Sequence, residues 1–311
     1  MDIKKVSCVG VGTIGHSWAT LFSIKGLDVS IYDMSKELLK SAMERIRFST
    51  NFLAEKGLIT EKEASDALNR INLTNSISEC VKDSDYVQES AFESYDVKRE
   101  IFSEIDKAND STIIASSTSG LLMTEIQKAA TKPERCIVAH PWNPPLLLKL
   151  VEIVPGKKTS QMTAQTTYDF IEKLGKIPVI VKKEVPGFIG NRLQAALWRE
   201  ALNLVNEGVA SVEDVDKAVW AGPGARWGIM GPFLTLHLGG GPKGLKYHID
   251  TIQHGFNEYL KSMNDWKEIP YHAVLKAFAG LEQVPMIKKK SFEDMVRWRD
   301  DKLAKILKIQ E

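Results

Sequence analysis

The chain has 311 residues, enough for about two domains, and its 43% hydrophobic and 26% charged residues are ordinary values for a globular protein with a sizeable core. Lys and Arg number 41 against 40 Asp and Glu, a formal net charge of +1 that gives no footing for nucleic acid or an anionic membrane. Three scattered cysteines (Cys8, Cys80 and Cys136), odd in number and without CxxC spacing, argue against a disulfide framework or a metal site and for a reducing cytoplasm.

Residues 6–11 form a short apolar run of the kind a buried parallel strand shows, too short for a secretory signal. Residues 14–25 follow with helical spacing, and residues 27–32 read as a second strand ending in Asp33. Residues 34–56 are charged and periodic, hence helical, with Ser35 as N-cap, and 61–70 give a further short helix. Strand-like runs recur at 86–89, 112–115, 136–139, 151–154 and 177–181, with helical patterns at 97–107 and 123–130 between them. This alternation predicts an α/β fold, a doubly wound and mainly parallel sheet covered on both faces.

The character changes at residues 182–186. Beyond them 191–207, 211–220, 233–238 and 243–260 favour helix, and 291–311 reads as a charged amphipathic helix. The expected organisation is a sheet domain over 1–184 and an all-α C-terminal domain over 185–311. No apolar run approaches 20 residues, so no membrane-spanning helix is expected.

Gly10, Gly12 and Gly15 form G-x-G-x-x-G between the first strand and the first helix, with Thr13 and Ile14 opening that helix. The first glycine permits a tight turn, the second lets backbone amides approach a pyrophosphate, and the third allows close helix–strand packing. The helix then presents its positive dipole end to the phosphates. The triplet alone is a weak signal, but Asp33 ends the second strand at the expected distance, which makes a Rossmann-type dinucleotide site the reading. A carboxylate there accepts from ribose hydroxyls and repels a 2′-phosphate, so NAD is expected rather than NADP.

His140, in Ala139-His140-Pro141-Trp142-Asn143-Pro144, follows a predicted strand and is expected in a loop. Twelve positions on, Glu152 stands in an apolar strand. A histidine oriented by a carboxylate suits alcohol oxidation, since imidazole takes the hydroxyl proton as hydride leaves. Spacing alone does not bring the two into contact.

With the glycine loop, the motifs Ser116-Ser117-Thr118-Ser119-Gly120-Leu121, His140 to Pro144, Lys149-Leu150-Val151-Glu152 and Pro186-Gly187-Phe188-Ile189-Gly190-Asn191-Arg192 make the chain resemble the L-3-hydroxyacyl-CoA dehydrogenase superfamily over nearly its whole length. That resemblance implies His140 as acid/base, Glu152 as its orienting acid, and Ser119 and Asn191 as substrate contacts. It also implies Glu93, Lys98 and Asn143 in the cofactor site, and a homodimer formed mainly through the helical domain.

The segments Leu197-Trp198-Arg199-Glu200-Ala201-Leu202 and residues 224–235 resemble most the branch of L-carnitine dehydrogenase and L-gulonate 3-dehydrogenase (lambda-crystallin), which acts on free 3-hydroxy acids. The expected reaction is oxidation of L-carnitine to 3-dehydrocarnitine. L-gulonate, a 3-hydroxyacyl-CoA substrate, or a non-catalytic NAD-binding protein of crystallin type stand as alternatives. Arg226 offers a bidentate fork for a substrate carboxylate. Trp142, Trp198, Trp220, Trp227 and Phe188 are candidate aromatic faces for a trimethylammonium group, with Trp142 also able to narrow the pocket.

Overall fold

The computed structural model describes residues 2–309. The chain divides into two compact units, one ending at Arg192 and one beginning at Leu193, where the change of character was expected near Glu184.

In the first unit β1 (Lys5–Val9), α1 (Thr13–Ile24), β2 (Asp28–Tyr32), α2 (Lys36–Glu55), α3 (Glu61–Leu68), β3 (Ile71–Thr74), α4 (Ile77–Val81) and β4 (Tyr86–Glu89) form the first half. α5 (Tyr95–Ala108), β5 (Ile113–Ser116), α6 (Met123–Ile126), β6 (Cys136–Pro141), β7 (Leu150–Pro155), α7 (Gln161–Lys173) and β8 (Ile177–Ile180) complete it. The strands make one eight-stranded sheet in the order β3-β2-β1-β4-β5-β6-β7-β8. All pairings are parallel except β6 with β7. The order reverses between β1 and β4, the switch point at which open α/β sheets bind ligands beyond their carboxyl ends.

Both faces of the sheet are covered, as a parallel sheet requires. Ile137 and Ala139 of β6 join one apolar cluster with Trp18, Phe22 and Phe170; Cys136 and Val138 join the other with Phe102, Ile126 and Phe188. The alternation is the two-residue period of a strand, and it puts His140 on the side of Val138. Ser35 caps α2 by accepting from the Leu38 amide, as the sequence predicts.

Three elements of the first unit were not read from sequence. β3 is a four-residue edge strand with only Ile71 buried, so it lacks an apolar run. α4 is one short turn. α7 buries Thr163, Thr167, Phe170 and Ile171, a helical stripe half made of threonine, which hydropathy does not flag.

The second unit is helical throughout its regular structure. After α8 (Gly190–Asn206), which begins just before it, come α9 (Val212–Ala221), α10 (Pro223–Trp227), α11 (Pro232–Gly239), α12 (Gly244–Ser262), α13 (Tyr271–Leu281), α14 (Pro285–Lys289) and α15 (Phe292–Ile309). The tail helix matches the sequence expectation as far as Ile309; Gln310 and Glu311 lie outside the described residues. Among the described residues no helix is long and apolar enough to cross a membrane.

Candidate active site

The glycine loop lies at the switch point. Gly10 has φ +87°, and a Cβ there would stand 2.9 Å from the Ser90 carbonyl carbon. A Cβ on Gly15 would strike the Gly10 carbonyl oxygen at 1.8 Å, so α1 packs against the loop as only glycine allows. At Gly12 nothing comes within 4 Å, and Gly12 and Thr13 are exposed. No side chain caps α1 and its first turn carries no acid, so its leading amides remain for an anion. The Asp33 carboxylate, half-buried at the end of β2, accepts from the Val11 amide at 3.1 Å and the Ser35 amide at 3.4 Å. Open backbone at Gly12 and Thr13, an uncapped helix start and a carboxylate at the second strand end fit a dinucleotide.

The antiparallel pairing of β6 and β7 sets His140 directly opposite Glu152. His140 Nδ1 lies 2.8 Å from Glu152 Oε2, and both residues are buried, at 5% and 1% exposure. His140 therefore lies within a strand rather than in a loop: the β6–β7 ladder continues through Pro141, paired with Val151. The other oxygen, Oε1, accepts from the amides of Ile189 at 2.8 Å and Gly190 at 2.9 Å, at the start of α8. The Trp142 indole N–H reaches Oε2 at 3.3 Å. Burial pushes the Glu152 carboxyl up, but the bonds from His140, Gly190 and Ile189 outweigh it and hold the group below the usual carboxylate range. The Phe188 ring, fully buried at φ +53°, stands edge-on to His140 with centroids 5.6 Å apart.

Ser119 and Asn191 join this arrangement. Asn191, next to Gly190, donates from Nδ2 to the Ser119 carbonyl at 2.8 Å. The Ser119 amide donates to Glu93 Oε1 at 2.9 Å, and Thr118 Oγ1 donates to the same oxygen at 2.6 Å. Those contacts use the Ser119 backbone and leave its hydroxyl out. Hydrogen bonds thus link Glu93, Ser119 and Asn191, and the Gly190–Asn191 peptide bond joins them to the Gly190–Glu152–His140 group.

An acid beside a buried base, donors near its edge and a dinucleotide cradle are what a pyridine-nucleotide dehydrogenase requires. The NAD binding domain of 3-hydroxyacyl-CoA dehydrogenases matches residues 5–185, and their C-terminal domain matches residues 187–278. The chain belongs to the 3-hydroxyacyl-CoA dehydrogenase family. It is an NAD-dependent dehydrogenase with a Rossmann domain followed by a helical domain, and the expected fold class and cofactor are borne out. It is similar to an L-carnitine dehydrogenase of Oceanobacillus iheyensis, 42% identical over 251 residues covering 80% of each chain. One from Streptomyces griseus is 38% identical over 314 residues, covering 99% of this chain and 90% of the relative. Among solved structures, 5-formyl-3-hydroxy-2-methylpyridine 4-carboxylic acid 5-dehydrogenase, an NAD+-dependent dismutase, superimposes with a TM-score of 0.84 at 27% identity, over 99% of this chain and 98% of that one.

In this member of the family other expected site residues stand differently. Lys98 is buried at 1% exposure, its ammonium 2.8 and 3.1 Å from the two oxygens of Glu89 and 3.4 Å from Glu93 Oε2. Glu89, which sequence reasoning did not single out, also accepts from the Ala91 amide at 2.6 Å and Ser116 Oγ at 2.5 Å. An acid closing the apolar strand β4 was the available signal. Phe188 offers no exposed face for a cation, because its ring is spent on His140 and the core beneath. Asn143 is exposed in the β6–β7 connection, ahead of a cis bond to Pro144. Arg226 is exposed on α10 of the second unit; Trp198, Trp220 and Trp227 of that unit are exposed as well.

Proposed function

We propose that this dehydrogenase oxidises L-carnitine to 3-dehydrocarnitine, with His140 as the base. The observation that carries the reading is the direct opposition of His140 and Glu152 across β6 and β7, in a chain similar to L-carnitine dehydrogenases over most of its length. The Glu152 carboxylate accepts the N–H of Nδ1, which leaves the imidazole lone pair on Nε2. Nε2 takes the C3 hydroxyl proton, and Glu152 balances the imidazolium so formed. Ser119, through its hydroxyl, and Asn191 hold the oxygen at C3, where charge develops as it becomes a carbonyl. NAD, when bound, supplies the acceptor for the hydride that leaves C3.

In the same reading Gly10, whose amide donates to the Tyr32 carbonyl at 2.9 Å, shapes the turn, the amides of Gly12, Thr13, Ile14 and Gly15 at the start of α1 hold the pyrophosphate, and Asp33 accepts from the adenosine ribose. Glu93 and Asn143 border the nicotinamide half, and Lys98 acts there by holding Glu93 in place. Arg226 pairs with the substrate carboxylate.

The protein is proposed to work as a homodimer. What supports this is the second unit, where Trp220, Phe233 and Tyr271 are each at least 67% exposed and α8 buries no residue at all. A reducing cytoplasm suits three buried free thiols, of which burial pushes Cys80 and Cys136 up to about 12.

The test is NADH formation with L-carnitine, L-gulonate, 3-hydroxybutyrate and 3-hydroxybutyryl-CoA. L-carnitine is expected to give the highest kcat/KM. A higher value for the CoA ester would replace the substrate assignment, and silence with every acid would remove the catalytic reading. Light scattering checks the dimer: a mass of one chain would contradict it.

A further inference from the structure

We propose that Trp142 is a positioning residue: its indole N–H is the fourth donor to the Glu152 carboxylate and limits how strongly that carboxylate holds a proton on His140. The inference rests on His140 being the base of the oxidation proposed above.

Three observations carry it. The Trp142 N–H and the His140 Nδ1–H share one oxygen, Oε2, at 3.3 and 2.8 Å, while the amides of Ile189 and Gly190 occupy Oε1. The two side-chain donors therefore divide one centre of negative charge. The indole is also held in place: a Cβ on Gly190 would stand 2.3 Å from its Cζ2, so the ring occupies the room that this glycine leaves open. Finally, His140 alone titrates among the groups shown facing that carboxylate. It comes from β6, Trp142 from the β6–β7 connection and the two amides from the start of α8, while Phe188 is apolar.

A base must be unprotonated to take the hydroxyl proton, yet a bare buried carboxylate beside an imidazole favours the imidazolium. Each further donor on the carboxylate spreads its charge and weakens that pull. With the indole N–H gone, Oε2 serves His140 alone, imidazolium is favoured, and the base loses its proton only at higher pH.

The experiment compares Trp142→Phe with a protein carrying 3-benzothienylalanine at position 142, which keeps the bicyclic shape and lacks the N–H. Two readouts are taken: the acid limb of kcat/KM for oxidation, and the titration of the His140 imidazole followed by NMR without substrate. Both proteins are expected to move limb and titration upward by about half a pH unit, since one hydrogen bond is a fraction of a unit of carboxylate or imidazole affinity. A limb and titration unmoved in the benzothienyl protein, with a lower rate in Trp142→Phe alone, would reduce Trp142 to ring packing and overturn the proposal. A downward shift would overturn it too. Absence of oxidation with every 3-hydroxy acid would sink the proposed reaction, whereas the substrate-free titration still decides the role of Trp142.

Discussion

Two buried carboxylates, Glu89 at the end of β4 and Glu152 in β7, are each shut off from solvent and each met by a cationic or protonatable partner. Both collect several donors. They differ in what the partner has left over. The Lys98 ammonium spends its three hydrogens on both Glu89 oxygens and the Ala91 carbonyl at 3.3 Å, with Glu93 3.4 Å away as an ion-pair partner. His140 spends one ring nitrogen on Glu152 and keeps the other. A saturated pair can only hold structure, whereas a pair with an unspent nitrogen can move a proton. Burial and charge alone would have ranked the two sites as equals.

The contrast breaks most plainly at Lys98. Lys98→Met leaves the Glu89 charge buried without a cation, and such loss of one partner costs about 3–5 kcal/mol. Urea unfolding measures it, and a loss below about 1 kcal/mol would put the pair on a par with a surface bridge. Next in size is His140→Gln, expected to lower kcat at least about 100-fold, some 2.7 kcal/mol of barrier, with melting temperature and NAD affinity kept. Turnover that survives would return His140 to a structural role. A third carboxylate, Asp33, is held only by backbone amides and is half-buried, so it should show neither signature. Asp33→Ala is expected to weaken NAD binding about tenfold in a fluorescence titration, near 1.4 kcal/mol. An unchanged dissociation constant would remove it from the cofactor site.

The smallest effect concerns pH. Because its neighbours hold Glu152 below the ordinary carboxylate range, its ionised form stabilises the folded protein above that range, and this contribution is lost as pH falls through the lowered folded value. The stability difference between the protein and Glu152→Gln should therefore shrink on acidification from neutral pH. A difference that grows would mean Glu152 is protonated in the fold.

Much of this was legible in the residues. The glycine loop, the strand ending in Asp33 and the motifs around His140 and Gly190 are local patterns, and the structure places all of them in the first unit or at the start of α8. What escaped reading has a physical cause in each case. Threonines at Thr163 and Thr167 hid the buried face of α7, and the four-residue edge strand β3 buries too little to show a period. Lys98 looks like a solvated lysine by type; only the convergence of β4 and α5 encloses it against Glu89.

By itself the sequence determined the doubly wound sheet, the dinucleotide cradle and the residue types of the proposed catalytic pair, because turn glycines, helix starts and strand periodicity act over a few neighbouring positions. Tertiary structure decided that β7 runs back along β6 in a register that faces His140 with Glu152. It also brought the Ile189 and Gly190 amides, 37 and 38 positions away, onto the same carboxylate. Strand register and the approach of a distant helix start depend on packing across the whole sheet, and no local pattern carries that information.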